Sequence, residues 1–437
     1  MSETEMKPLR WAALQPLTGG MYLGAEKAIG NKAEFIISYP GFNAARKDKD
    51  GNVAFAANEY HLCEYLKKKD RMVPYYQFNR TPFQNDNDLN PTIVQVDGEE
   101  KPLAFDGLDI VVAVPVCAGL SGATANATAE KKEERNGNMI WLAKFALNTI
   151  KPKVYIFENA PRFMSAAGED VRAELEEIAK AAGYSIGYYK TDTKLHVNCQ
   201  SRPRTFIYFF RIDDVNRKGC PELGFENLPL AICERLDEIP KDATQQVTLR
   251  MGKLQQALLA YIPTWLGDDW RNKMKSGAMI EEVIRCNKLD EWEQFIKEGD
   301  FDESMKKQVT KHVAHIKDKM SNGKGFYMCT PVVAQRKGMP SCMFKTMPNV
   351  LHYKENRLYT IREWMTVMGF PYDFEMQGDL QKVFQMIGQN VPARTAQFIV
   401  SEAVRIVNQW NDIEREATQN VIFFDNTTEK IKPWRIL

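Results

Sequence analysis

Three kinds of side chain in this 437-residue chain suit the activation of a ring that resists direct attack: the thiol of Cys117, the carboxyl of Glu158, and the guanidinium groups of Arg202 and Arg204. A thiolate adds to an electron-poor ring carbon. A carboxyl bonds or protonates a ring nitrogen, and an arginine supports the nucleophile or a ring carbonyl. Each residue alone has a plainer reading. Cys117 would be a small buried residue capping a strand, and Glu158 and Arg202 would be structural ion-pair partners. What they share is a position at or near the end of a strand.

The elements that must position them are legible from apolar patterning. Residues 109–116 form an apolar, β-branched run without alternation, expected of a strand buried on both faces; it stops at Pro115, and Cys117 follows. Val154-Tyr155-Ile156-Phe157 is a second such strand, ending in Glu158-Asn159. Strands at 185–189 and 205–211 have no helix between them and predict an antiparallel hairpin at one edge. Residues 11–39 predict strand, tight turn, helix and strand, with Gly30 ending the helix. Residues 40–100 are less regular, with a short helix at 58–69. Residues 122–138 are small, polar and charged without an apolar period, suiting a mobile lid beside Cys117. Helices are expected at 139–150 and along the stripe Val171, Leu175, Ile178 and Ala182. Such alternation predicts an α/β fold with a doubly wound, mostly parallel sheet whose strand ends converge on one rim.

The pattern changes near 216. Residues 252–320 are helical and heavily charged, with Trp265, Trp270 and Trp292 as anchors of a small core, and 324–350 are loop-like. The expected division is a first part over 1–215, an inserted domain over 216–350, and a return over 351–437 with closing helices between Val383 and Trp410. The short apolar patch Val421–Phe424 has no readable role.

Net charge is +1, so a polyanionic partner would need a local basic patch. The eight cysteines are scattered without a Cys-x-x-Cys pair, which suits free thiols in a reducing cytosolic setting. The polar start is not a signal peptide, no apolar run is long enough to span a bilayer, and His312-x-x-His315 lacks further ligands for a metal.

The motifs in order resemble the DNA cytosine-5 methyltransferase family over most of the chain. Pro115-Val116-Cys117, with Ser121 in register, is similar to its Pro-Pro-Cys nucleophile motif; Glu134-Arg135-Asn136 resembles the end of its catalytic loop. Glu158-Asn159-Ala160 is similar to Glu-Asn-Val, and Gln200-x-Arg202-x-Arg204 matches Gln-x-Arg-x-Arg. Arg357 to Glu363, Gly369-Phe370-Pro371 and Gly388-Gln389-Asn390-Val391-Pro392 resemble its final motifs. The resemblance implies a class I methyltransferase fold, a closing helix packed on the first domain, and target recognition by the inserted segment. It also implies a flipped cytosine in double-stranded DNA, with Cys117 adding to C6, Glu158 bonding N3 and the exocyclic amine, and Arg202 near O2. Leu17, Thr18, Gly19, Gly20, Pro115, Asn390 and Val391 would border S-adenosylmethionine. Ser121, Arg135, Arg336, Lys337 and Lys345 are candidate DNA contacts, and the cellular setting implied is a bacterial or phage-infected cytoplasm.

The first loop departs from the family pattern. Where the family reads Asp-Leu-Phe-x-Gly-x-Gly-Gly, this chain has Ala13-Leu14-Gln15-Pro16-Leu17-Thr18-Gly19-Gly20, and no acid follows the second strand near Ser38-Tyr39-Pro40-Gly41. The expected Gly-Asp at the third strand is replaced by Tyr75-Tyr76-Gln77-Phe78-Asn79. Three readings stay open: a methyltransferase with altered cofactor contacts, a hydroxymethylating enzyme drawing on methylenetetrahydrofolate, or a DNA-binding paralogue without catalysis. Tyr22, Tyr39, Phe42, Tyr75 and Tyr76 would stack on a pterin in the second reading and otherwise belong to the core.

Overall fold

The computed structural model describes residues 8–84, 87–116, 119–120, 129–198, 200–212, 223–225, 235–275, 278–322, 332–333, 350–408, 421–425 and 432–434. The first elements are β1 (Trp11–Leu14), α1 (Gly20–Ile29), β2 (Ile36–Ser38), the hairpin β3 (Ala45–Lys47) and β4 (Val53–Ala56), α2 (Asn58–Lys68), β5 (Tyr75–Phe78) and β6 (Ile93–Asp97). They are followed by β7 (Ile110–Ala113), α3 (Ala129–Phe145), β8 (Val154–Asn159), α4 (Glu169–Ala181), β9 (Tyr184–Asp192) and β10 (Pro203–Arg211).

One ten-stranded sheet takes the order β14-β13-β9-β10-β8-β7-β1-β2-β5-β6, its β13 (Val421–Asp425) and β14 (Lys432–Trp434) coming from the end of the chain. Strands β1, β2, β5, β7, β8, β9 and β13 point one way, and β6, β10 and β14 oppose them. The chain builds outward from β1 through β2 to β5, then returns to the other side of β1 as β7. That reversal opens a crevice beyond the carboxyl ends of β1 and β7, where open α/β sheets hold their ligands. Leu14 pairs with Ala113 at this rim, so the loop after β1 and the chain leading to Cys117 start side by side.

Both sheet faces are covered, which explains why the strands do not alternate in polarity. Trp11, Ala13, Ile110, Val112, Val154 and Ile156 face one core; Ala12, Leu14, Val111, Ala113, Tyr155 and Phe157 face the other. The second core is closed by α3 and α4. Helix α3 begins at Ala129, ten residues before the expected start, because 129–138 form helix without an apolar stripe to announce it. The pair β9–β10 is antiparallel as expected, but β10 lies between β8 and β9, and β13 lines up parallel on β9. The hairpin is therefore interior to the sheet.

A third core belongs to helices α5 (Lys253–Leu266), α6 (Trp270–Lys273), α7 (Met279–Arg285), α8 (Leu289–Glu298) and α9 (Glu303–Ser321). Met305, Val309, Val313 and Ile316 form the buried stripe of α9, whose start is capped by Asp302 accepting from Met305 N. Trp292 and Trp270 are buried in this core and Trp265 packs at its margin. Leu223, Phe225, Leu236, Ile239 and Leu249 instead join the core beneath the sheet. Short strands β11 (Val332–Val333) and β12 (Val350–Leu351) pair beyond the helices.

The return segment supplies α10 (Ile361–Val367), α11 (Leu380–Gln389) and α12 (Ala393–Asn408). Thr360 and Glu363 form a capping box at the start of α10, and Arg357 holds Glu363 with both terminal nitrogens. Helix α12 lies along α1 so closely that a Cβ on Gly24 would meet Ala393 O at 2.3 Å. Among the described residues, no helix is long and apolar enough to cross a membrane.

Candidate active site

Glu158 is the penultimate residue of β8, with 3% exposure, and the antiparallel β10 brings its partner. Phe206 stands directly opposite Glu158, so Arg204, two residues along, projects from the same face of the neighbouring strand. Its Nε lies 2.6 Å from Glu158 Oε1, a charge-assisted contact in a nearly dry setting.

Arg202 takes another direction. Its Nη1 donates to Gly388 O at 2.9 Å, and its backbone N–H donates to Asp192 Oδ1 at 2.8 Å. Gln200 contacts Met368 through Nε2, 2.7 Å from Sδ. The Gln-x-Arg-x-Arg segment therefore does two things: Arg204 meets the carboxyl, while Gln200 and Arg202 tie the sheet to the return segment. The contact with Gly388 joins the Arg202 guanidinium to the segment that carries Asn390 and Val391. Arg204 lies within β10, which begins at Pro203, whereas Arg202 precedes the strand and is free to turn toward the return segment.

The approach to Cys117 is fixed up to the preceding residue. Val116 N donates to Asn138 Oδ1 at 2.7 Å, and Asn138 Nδ2 donates to Tyr39 OH at 2.7 Å. Asn138, buried on α3, carries no catalytic motif and went unnoticed in the sequence. Cys117, Ser121, Arg336, Lys337 and Lys345 lie outside the described residues, as does the side chain of Arg135. Pro115 is described just past the end of β7.

The loop after β1 takes a left-handed path, with φ of 47° at Gln15, 55° at Leu17 and 110° at Gly19. Leu17 thus adopts a conformation suited to glycine while its side chain packs on the sheet-side core. The loop's N–H groups are largely engaged by the protein: Gln15 N by Ile37 O, Gly19 N by Pro16 O, Leu17 N by Glu59 Oε1 and Gly20 N by Asn390 Oδ1. Gly20 is required sterically, since a Cβ there would lie 1.9 Å from Val391 O. Thr18 Oγ1 reaches Met386 O at 3.5 Å. Asn390 and Val391 therefore meet the loop directly. Gln15 Oε1 and Asn390 Nδ2 are buried with no hydrogen-bond partner among the described residues.

Beneath this loop lies Glu59, which the sequence did not single out. Its carboxyl is fully buried and pushed up to about 7 by desolvation, against hydrogen bonds from Tyr75, Ser38 and Leu17 N that favour the charged form. Tyr22, Tyr39, Tyr75 and Tyr76 are buried core residues, and Phe42 packs at the margin of the second core. His196 is local structure: burial holds its imidazole down to about 4, and Nε2 contacts Tyr189 OH and Thr191 Oγ1. No cluster of metal-ligating residues occurs among the described residues.

Comparison with known proteins adds the family. A model of C-5 cytosine-specific DNA methylases matches residues 52–405, beginning after β1, the left-handed loop and β2. The type II methyltransferase M1.HphI of Haemophilus parahaemolyticus is 25% identical over 311 residues, covering 69% of each chain. The type II methyltransferase M.PspPI of Psychrobacter sp. (strain TA137) is 22% identical over 280 residues, covering 63% of this chain and 59% of its own. Among solved structures, the Entamoeba histolytica methyltransferase EhMeth is 12% identical with a TM-score of 0.47, over 94% of this chain and all of its own. With most of its length matched by one family model, this chain belongs to the C-5 cytosine-specific DNA methylase family of transferases.

Proposed function

We propose that the chain methylates C5 of cytosine in double-stranded DNA, with S-adenosylmethionine as the donor. The observation that carries this reading is the buried Glu158–Arg204 pair at the rim where the chain emerges from β7 toward Cys117. The target base leaves the duplex, because its C5 and C6 are inaccessible in the stack. The Cys117 thiolate forms a bond to C6, and the ring electrons move to make C5 nucleophilic. Glu158 faces N3 and the exocyclic amine, Arg204 fixes the carboxyl, and Arg202 is carried forward as the contact near O2. Loss of the C5 proton and release of the thiolate restore the aromatic ring.

The loop fits such a donor in one respect, since Gln15 Oε1 and Asn390 Nδ2 leave buried polar valences on the two segments that border the β1 rim. Gln15 to Gly20, Asn390 and Val391 would hold it. When bound, S-adenosylmethionine supplies the electrophilic methyl group that activated C5 accepts. The matched relatives, all methyltransferases, give no support to the methylenetetrahydrofolate route. Arg135, Arg336, Lys337 and Lys345 are carried forward as DNA contacts, and Ser121 as a contact in the Cys117 loop.

Nucleoside mass spectrometry of cytosine DNA, incubated with each donor separately, tests the reading. The expected product is 5-methylcytosine with S-adenosylmethionine. Cys117→Ser should abolish it, and Glu158→Gln should slow it about 100-fold. 5-Hydroxymethylcytosine formed only with methylenetetrahydrofolate, or no product with DNA binding retained, would overturn it.

A further inference from the structure

Glu59 is the second residue of α2, yet its carboxyl is completely buried and fully engaged. Oε1 accepts from Leu17 N at 3.2 Å and from Ser38 Oγ at 2.9 Å; Oε2 accepts from Tyr75 OH at 2.6 Å. The three donors come from the carboxyl-terminal side of β1, from the last residue of β2 and from the first of β5. These are the three neighbouring strands on one half of the sheet. None of these three donors carries a positive charge. A group kept under such unfavourable conditions needs a reason.

The left-handed loop supplies one. Leu17 at φ 55° sits where any L residue is disfavoured and glycine is not, and its N–H is the loop atom that Glu59 grips. Ser38 occupies the strand end where the resemblance calls for an acid, and it passes its hydroxyl to Glu59. The acid has not vanished from this junction. It arrives from α2 and points at the loop rather than outward.

We propose that Glu59 is the positioning residue of the donor loop, holding 15–20 in its left-handed path and so compensating for the leucine at position 17. This rests on the reading that the loop borders the methyl donor. A residue that merely fills space in α2 would not depend on what stands at position 17. Glycine there adopts the left-handed path unaided, so Leu17→Gly should rescue the loss of Glu59, whereas a packing defect would persist.

The test uses the full chain. Hydrogen–deuterium exchange across residues 14–22 is compared in wild type, Glu59→Ala and Glu59→Ala/Leu17→Gly, together with KM for S-adenosylmethionine and kcat. Glu59→Ala should speed loop exchange and raise KM about ten-fold, as expected from losing one hydrogen bond to a charged acceptor, with a smaller effect on kcat. The double variant should return both toward wild type. Unchanged loop exchange in Glu59→Ala, or no recovery in the double variant, overturns the proposal. If Glu59→Ala does not fold, the same comparison is made with Glu59→Met and Glu59→Met/Leu17→Gly, which keep the buried volume and remove both acceptor oxygens. The exchange measurement needs neither donor nor DNA, and release of C5 hydrogen from cytosine DNA without donor reports separately on the transferase reading.

Discussion

At the scale of single residues, the site contrasts two buried carboxyls. Glu158 has a guanidinium 2.6 Å away, and Glu59 has only neutral donors. The second arrangement has a measurable cost. Folding raises the Glu59 pKa from the ordinary 4.5 to about 7, so between these values the folded chain keeps a proton that the unfolded chain has lost. Stability should therefore fall as pH rises from 4.5 to 7 and show no further Glu59 effect above that, a change of about 3 kcal/mol. Denaturant unfolding of wild type and Glu59→Gln at several pH values checks this. The difference between them should carry the slope, and equal slopes would contradict it. The residue scale is also where reading from sequence works least evenly. The strand ends that lead to Cys117 and carry Glu158 were legible because each belongs to an unbroken apolar run. Glu59 was not, because its donors at 17, 38 and 75 are neighbours only once three strands are aligned.

Among elements, the informative contact is α1 against the return segment. Gly20 N donates to Asn390 Oδ1, and the same residue lies too close to Val391 O for any side chain. Gly20→Ala should force α1 away from the 388–392 segment at a cost of about 3 kcal/mol, read as a lower midpoint in chemical denaturation with the slope unchanged. An unchanged midpoint would mean that the two segments separate without penalty. Strand-and-helix order was legible from apolar runs and from the glycine that ends α1. The early start of α3 was not, because 129–138 carry no apolar stripe. The interior position of β9 also escaped, since its partner on the outer side comes from residues 421–425.

For the whole molecule, the ties between residues 200–224 and 368–402 matter more than their separation along the chain. Arg202 reaches Gly388, Gln200 reaches Met368, and Tyr208 OH donates to Ile399 O. Gly224 N likewise donates to Glu402 Oε1. The core beneath the sheet draws on Trp11 and Ile36 at one end of the chain and on Trp364, Ile399 and Ile406 at the other. None of these contacts uses a residue between Asn322 and Asn349. The protein is accordingly suited to division: fragments 1–321 and 350–437, expressed together, should assemble into a soluble pair recovered by a tag on either one. Expressed alone, the 350–437 fragment should be insoluble, because α10, α11 and α12 would expose the faces they now bury. Co-expressed fragments that fail to associate would show that the connection is needed for docking. Association would make methylation dependent on the meeting of two polypeptides, giving a means of switching it on by bringing them together.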